Sequence, residues 1–174
     1  MSRRATQTAV LVHVPEVEPV VGEWRLRHTY DAPLGMPAHV TLLFPFVPTD
    51  GLDDEVEARL AKLLREANPF TVTFTRTARF PDVLYLEPQP AEPFAALTAA
   101  IAAEWPEHPP YEGEHEIVIP HLTVAESEDE VLLERIRADV EAQLPLESHV
   151  TAAQLYAEDA AGRWHERSRL PLAP

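Results

Sequence analysis

The chain has 174 residues, of which 14 are Lys or Arg and 29 are Asp or Glu, and its formal net charge at pH 7 is −15. Affinity for nucleic acids comes largely from Lys and Arg on phosphates, so this charge argues against long RNA or DNA and anionic membranes as partners, whereas a short nucleotide in a local pocket is compatible with it. The chain has no cysteine, which excludes disulfides, thiolate metal sites and cysteine nucleophiles.

The N-terminal segment has no pattern typical of membrane targeting. Ser2-Arg3-Arg4 precedes the apolar run 9–12, which is too short for a signal peptide or a membrane span. We therefore expect a cytoplasmic protein with no membrane partner. Its length suits one domain covering residues 1–174, and we expect a monomer.

In the first half of the chain, strand patterns alternate with helix patterns. Apolar and β-branched residues predict strands, and residues such as Leu52, Val56 and Leu60 recur at the spacing of one helical face. The predicted elements are a strand over 8–14, a helix from about residue 17, a loop over 31–37, a strand over 38–46, a helix over 50–67 and a hairpin with strands over 70–79 and 83–86.

The second half of the chain shows a similar order. Pro93 suits the first turn of a helix, and Ser127 and Glu130 have the spacing of a capping box. The predicted elements are a helix from residue 93, a proline-rich loop over 106–113, a strand over 117–125, a helix over 127–144 and a closing hairpin with strands over 146–156 and 164–170.

The same succession of helix, strand, turn and strand follows both the strand at 38–46 and the strand at 117–125. This duplicated layout predicts an α+β fold that is bilobal, with two similar antiparallel-sheet lobes and outer helices around a central groove. Each of the two pseudo-symmetric lobes would present one of these strands to the groove.

Both strands carry the same tripeptide pattern, His39-Val40-Thr41 in the first and His121-Leu122-Thr123 in the second. Side chains alternate between the two faces of a strand, so the histidine and the threonine share one face and the apolar residue points to the other. Two imidazoles facing each other across a cleft can act as acid and base, and two hydroxyls can hold an anion. Together they could split a phosphodiester without a metal.

A third such tripeptide, His149-Val150-Thr151, shows that the pattern alone is weak evidence. The first two tripeptides follow loops that contain proline, and each leads directly into a predicted helix. The third instead follows a helix and begins a long predicted strand. We therefore assign the active site to the first two tripeptides.

The segments 37–46 and 120–125 resemble the 2H phosphoesterase superfamily, which includes bacterial 2′-5′ RNA ligases and cyclic nucleotide phosphodiesterases. Its members carry two His-x-Thr/Ser motifs with an apolar middle residue, a position held here by Val40 and Leu122. The resemblance implies a bilobal α+β fold with a central groove. It also implies catalytic roles, for His39, Thr41, His121 and Thr123. The strongly negative net charge of this chain differs from that of the members that act on large RNA.

The expected reaction opens a phosphodiester, such as a 2′,3′-cyclic phosphate or a 2′-5′ linkage, in a small nucleotide or a short RNA end. One neutral imidazole removes a proton from the attacking water or hydroxyl, and the other, as imidazolium, protonates the departing oxygen. Thr41 and Thr123 donate hydrogen bonds to the non-bridging oxygens. No metal or other cofactor is expected. Which histidine is the base, and whether hydrolysis or ligation prevails, stays open.

Further residues are candidates for substrate binding. Aromatic side chains could stack on a base, an arginine could approach a phosphate, and a histidine of the first strand could line the groove. These candidates are Phe46, Tyr85, Trp164, Arg79 and His13.

Two other functions are compatible with the residues. One is a protein that binds a nucleotide or phosphorylated ligand in the same groove without turnover. The other is a metallohydrolase that uses His39 and His121, with or without His13, together with a carboxylate. The chain lacks the closely spaced histidine pairs typical of such metal sites, which disfavours the second.

Overall fold

The computed structural model describes residues 6–115 and 117–174, so Ser2-Arg3-Arg4 lies outside the described residues. The strands are β1 (Thr8–His13), β2 (His39–Leu43), β3 (Phe70–Phe80), β4 (Val83–Gln89), β5 (Leu122–Glu126), β6 (Leu146–Val150), β7 (Ala152–Glu158) and β8 (Trp164–Pro171). The helices are α1 (Glu18–His28), α2 (Asp54–Leu64), α3 (Glu92–Glu104) and α4 (Glu130–Glu141). None of the helices in these two ranges is long and apolar enough to cross a membrane.

The strands form two four-stranded sheets, with the orders β2-β1-β7-β8 and β5-β4-β3-β6. All neighbouring strands are antiparallel. The strand of the first motif, β2, is the edge of the first sheet, and the strand of the second motif, β5, is the edge of the second. The two edges contact each other. The predicted bilobal α+β fold, with one motif strand in each lobe, is confirmed.

The two lobes exchange their hairpins. The hairpin β3-β4 follows the first motif in the chain but pairs with β5 of the second motif. The hairpin β7-β8 follows the second motif but pairs with β1. Each sheet is therefore built from both halves of the chain.

The predicted strand over 146–156 is two strands in different sheets. β6 pairs with β3, and β7 pairs with β1. Ser148, Val150 and Ala152 are buried on alternate positions, but Ala153 is buried as well, so the alternation changes phase at the start of β7. Thr151 lies between the two strands. His149 and Thr151 of the third tripeptide are both exposed.

Two helices begin later than predicted because aspartates cap them. Asp53 accepts a hydrogen bond from the Val56 amide, and α2 begins at Asp54 rather than near residue 50. Asp129 accepts hydrogen bonds from two amides of the first turn of α4. The predicted capping box of Ser127 and Glu130 is wrong, because the Asp129 carboxylate satisfies the free amides there.

The helices cover the outer faces of the sheets and pack on the main hydrophobic core, and a second, smaller cluster contains Ala9, Leu11, Met36 and Tyr156. α2 packs against β8 and α3 against β2, whereas α1 and α4 pack against the second sheet. The largest core cluster contains side chains from both sheets, such as Val12 and Leu84. β5 begins at Leu122, so residues 117–121 are not part of the strand that the sequence predicts over 117–125.

Candidate active site

A groove opens beside the first motif, with a volume of about 760 Å³. His39 and Thr41 line it together with an apolar surface, which includes Ala9, Met36, Phe44 and Trp164. Carboxylates also line it: Asp31, Glu126, Glu158 and Asp159. None of the described residues that line this groove is Lys or Arg.

His39 stands at the start of β2 with its ring tied to the loop that precedes it. Its Nδ1 lies 2.7 Å from the carbonyl oxygen of Pro37. A carbonyl oxygen only accepts hydrogen bonds, so Nδ1 carries the proton and Nε2 of the neutral ring keeps its lone pair. Nε2 is therefore the nitrogen that can take a proton from a substrate.

His121, immediately before β5, has the same arrangement. Its Nδ1 lies 2.7 Å from the carbonyl oxygen of Ile119. In both motifs the acceptor is thus the carbonyl two residues before the histidine. Both rings are consequently held as the same tautomer, with Nε2 left for chemistry.

Burial lowers the pKa of both motif histidines. For His39 the pKa falls to about 4, with Arg25 and His121 adding to the effect of burial and Asp31 opposing it. Burial also lowers the pKa of His121 below its ordinary value, against the hydrogen bond from its ring to Ile119. Burial therefore favours the neutral form of both rings in the ligand-free protein, and a charge on His121 disfavours a charge on His39.

Two aromatic rings support the ring of His121. Its centroid lies 5.1 Å from Phe80 and 5.5 Å from Tyr85, in edge-on contacts. Phe80 and Tyr85 stack on each other with centroids 4.4 Å apart. Tyr85 is only 6% exposed, so it packs beside His121 instead of offering a face to a base.

The threonines occupy matching places on the two edge strands. Thr41 pairs with Leu11 in the β1-β2 register, two positions from the pair of His39 with His13, and so shares the face of His39. Thr123 pairs with Tyr85 in the β4-β5 register. Both threonine side chains are half-buried.

A loop residue that the sequence analysis missed, Tyr111, lies between the two motifs. It lines a cavity of about 420 Å³ together with His121, and its phenol lies beside the Thr41 hydroxyl. Its backbone amide donates to the carbonyl of Phe44 at 2.6 Å. Its φ of 50° is left-handed, which is uncommon for a residue with a side chain. No pattern in the sequence marks this position.

The five predicted substrate-binding residues lie in different surroundings. Trp164 lines the groove and packs edge-on against Phe44, with centroids 6.1 Å apart. Phe46 is 1% exposed and packs on Trp105 in the core, so the expectation that it stacks on a base is wrong. Tyr85, as described above, packs beside His121.

The two remaining candidates have acidic partners outside this groove. Arg79 donates to Glu130 at 2.9 Å, which directs its guanidinium toward α4. His13 lies opposite His39 in the β1-β2 register, but its Nε2 is 3.6 Å from Glu18 and it lines a separate cavity. Within the described ranges, no group of three or more His, Asp or Glu side chains is arranged to hold a metal ion.

Arg25, which is not among the residues predicted from the sequence, lies behind both motifs. It is 1% exposed, and among the residues that the structure describes it is the only charged residue that is buried. Its Nη1 donates to the carbonyl of Thr123 at 2.7 Å, and its Nη2 donates to the carbonyl of Pro37 at 3.2 Å. The signal that could have found it is its position on α1, four residues after the buried Val21.

Comparison with known proteins finds the same fold and one family. The pattern of the 2′-5′ RNA ligase superfamily matches residues 13–162. A Bacillus pumilus (strain SAFR-032) protein that carries a provisional phosphoesterase name is 31% identical over 127 residues, which are 70% of this chain and 71% of that protein.

Two solved structures show the fold over nearly the whole chain. Escherichia coli LigT complexed with 3′-AMP is 20% identical, with a TM-score of 0.63, and the match covers 98% of this chain and 100% of LigT. The protein TT0787 of Thermus thermophilus is 21% identical, with a TM-score of 0.62, over 95% of this chain and 97% of that protein.

Proposed function

Because the chain belongs to the 2′-5′ RNA ligase superfamily, whose members are phosphoesterase-type or RNA ligase-like enzymes, we propose that it hydrolyses or reversibly forms a phosphodiester by two-histidine acid–base catalysis. The proposed catalytic residues are His39, Thr41, His121 and Thr123. The proposed substrate is a 2′,3′-cyclic phosphate or a 2′-5′ linkage in a small nucleotide or a short RNA end. No metal takes part in the proposed reaction.

One observation carries this proposal above the others: the two motif histidines are held in the same way. Each donates from Nδ1 to the carbonyl two residues earlier, at 2.7 Å in both cases. A ring fixed in this way presents Nε2 for proton transfer. A histidine that served only to fill space would not need the same anchor in two distant segments.

The proposed hydrolysis requires that one proton is removed from water and that another is donated to the departing ribose oxygen. Nε2 of one neutral histidine takes a proton from water as the water oxygen bonds to phosphorus. The bond from phosphorus to the ribose oxygen breaks, and the Nε2 proton of the other histidine, an imidazolium, passes to that oxygen. Since burial lowers the pKa of both rings, the anionic phosphate must stabilise the imidazolium. Thr41 and Thr123 donate to the non-bridging oxygens.

The groove suits a small substrate with little charge beyond one phosphate. Asp31, Glu126 and Glu158 line it and repel further phosphates. The apolar side, with Phe44 and Trp164, offers aromatic surface to a base. Escherichia coli LigT has been solved with 3′-AMP, with ATP and with NADP+, which supports a small nucleotide as the ligand here. Of these three, 3′-AMP has the single phosphate that suits the acidic groove of this chain.

The test is turnover of 2′,3′-cyclic nucleotides, with and without EDTA, by wild type and by His39→Ala and His121→Ala. We expect each substitution to lower kcat at least about 100-fold, as loss of a general acid or base does, and EDTA to have no effect. His149→Ala of the third tripeptide is the matched control and should retain wild-type activity. Loss of turnover in EDTA, or full activity in either motif variant, contradicts the mechanism. Binding of 3′-AMP without turnover of any cyclic phosphate would instead establish a binding protein.

A further inference from the structure

Arg25 connects the backbones of the two motifs through one guanidinium group. Nη1 donates to the carbonyl of Thr123, the last residue of the second motif. Nη2 donates to the carbonyl of Pro37, which also accepts the Nδ1 proton of His39. The Pro37 carbonyl is therefore shared between the catalytic ring and the buried arginine.

This link joins strands that the sheets leave separate. β2 and β5 are edge strands of different sheets, so no ladder of backbone hydrogen bonds sets the distance between them. Helix α1, which carries Arg25, packs against β5. Glu18 of the same helix accepts a hydrogen bond from the Ala38 amide at 2.7 Å. Helix α1 therefore also binds the residue immediately before β2.

Only arginine can make this set of contacts. The guanidinium is planar, always charged, and carries donors on separate nitrogens in a fixed fork, whereas lysine has a single nitrogen. Arg25 uses both terminal nitrogens, and Nη2 also reaches Asp31 Oδ1 at 3.2 Å. Its cation would be costly to bury without these partners.

We propose that Arg25 is a positioning residue for the phosphodiester chemistry proposed above: its guanidinium holds the two motif strands at the separation at which both imidazoles reach one phosphorus. The inference rests on the proposed function but concerns a residue that touches neither substrate nor the reacting atoms. Asp31, which is partly exposed at the groove, balances the buried cation.

The charges around His39 allow position and electrostatics to be tested separately. Arg25 lowers the pKa of His39, His121 lowers it further, and Asp31 raises it. Arg25→Lys keeps the cation but loses the fork, so it changes position more than charge. Arg25→Gln removes the cation, and Asp31→Asn removes the opposing anion while the backbone contacts of Arg25 remain.

The experiment measures kcat and KM for 2′,3′-cyclic nucleotides and the NMR titration of His39 in these three variants. Arg137→Lys is the control. Arg137 is a surface arginine of α4 paired with Glu134 and Glu141. In Arg25→Lys we expect kcat to fall about 100-fold, the cost of a displacement near 1 Å, with KM within about threefold and the His39 titration near that of wild type. The His39 titration should move to higher pH in Arg25→Gln and to lower pH in Asp31→Asn.

Two results would overturn the proposal. One is wild-type kcat in a folded Arg25→Lys variant, and the other is a loss of kcat no larger than the loss of folded protein. If Arg25→Lys does not fold, NMR of the Arg25 guanidinium in the wild-type protein tests the proposal instead. Nitrogens tied to separate strands predict slow rotation of the Arg25 guanidinium and resolved NMR signals for its protons, and averaged signals of a freely rotating group contradict the proposal. A wild-type protein inactive on every cyclic phosphate would refute the proposed function instead, and the guanidinium signals would still test the link.

Discussion

The two nitrogens of each motif histidine have different tasks at the scale of the single residue. Nδ1 is used to fix the ring, since it donates to a backbone carbonyl, and this leaves Nε2 with the lone pair. A backbone carbonyl is a firm anchor because it moves only with the chain. The ring of His39 is half-buried beside Arg25, and the lowering of its pKa has a consequence for stability that can be measured.

The stability of the protein should fall on acidification in a window set by His39. The unfolded chain binds this proton near pH 6.5, but in the folded protein the pKa of His39 is about 4. Because the unfolded state binds more protons between these values, the free energy of unfolding decreases as the pH falls from about 6.5 to 4. Urea unfolding at a series of pH values should show a shallower decrease for His39→Gln. An identical pH dependence in the two proteins would contradict a lowered pKa.

Removing the aromatic support of His121 should slow the reaction. Phe80 contacts the ring edge-on at 5.1 Å, and such a pair contributes about 0.5–1.5 kcal/mol. We therefore expect kcat of Phe80→Ala to fall up to about tenfold. Phe70 at the other end of β3 makes a similar contact with Phe94 but lies outside the site. Phe70→Ala should destabilise the protein without lowering the kcat of its folded fraction, and equal losses of kcat in both variants would argue against a role for Phe80.

Arg25 and Tyr111 could not be predicted from the sequence for the same physical reason. The partners of Arg25 include the carbonyls of Thr123 and Pro37, and Tyr111 is held by the carbonyl of Phe44. Every residue has a carbonyl, so such contacts leave no signature in the sequence. The motif histidines could be found because their residue types and strand context are unusual together.

At the scale of the element, helix ends are decided by competition among neighbouring polar side chains. Asp129 caps α4, and Ser127 accepts the Asp129 amide at 3.1 Å instead of capping the helix itself. Glu130 does not reach back as a capping box requires, since it binds Arg79. Local sequence showed that a helix begins here, but it did not show which of two capping side chains is used.

The relative importance of these caps can be measured. Asp129→Ala should lower the free energy of unfolding by about 1 kcal/mol, the usual effect of losing an N-cap. Ser127→Ala should cost less, because its hydroxyl binds one amide outside the helix. Urea unfolding of both variants checks this order, and a larger loss in Ser127→Ala would restore the capping-box interpretation.

At the scale of the whole molecule, the order of elements was predictable and their assignment to sheets was not. Periodicity in the sequence reports whether a segment is a helix or a strand. The strand predicted over 38–46 and the helix predicted over 50–67 were found in this way, although both are shorter in the structure, where β2 is His39–Leu43 and α2 is Asp54–Leu64. The pairing of β4 with β5, and of β7 with β1, joins segments far apart in the chain. The passage of the chain between the sheets at Thr151 is visible only as a change of phase in buried residues.

The exchange of hairpins predicts that the two lobes unfold together. Each sheet takes strands from both halves of the chain, and one core includes residues of both sheets. Leu84 in β4 and Leu155 in β7 are both fully buried, so Leu84→Ala and Leu155→Ala are matched substitutions, each expected to cost about 2–5 kcal/mol. Each should lower the urea midpoint of the amides of β1 and β4 equally when unfolding is followed by NMR. Separate midpoints for the two sheets in either variant would show that the lobes unfold independently, and that the shared core does not couple them.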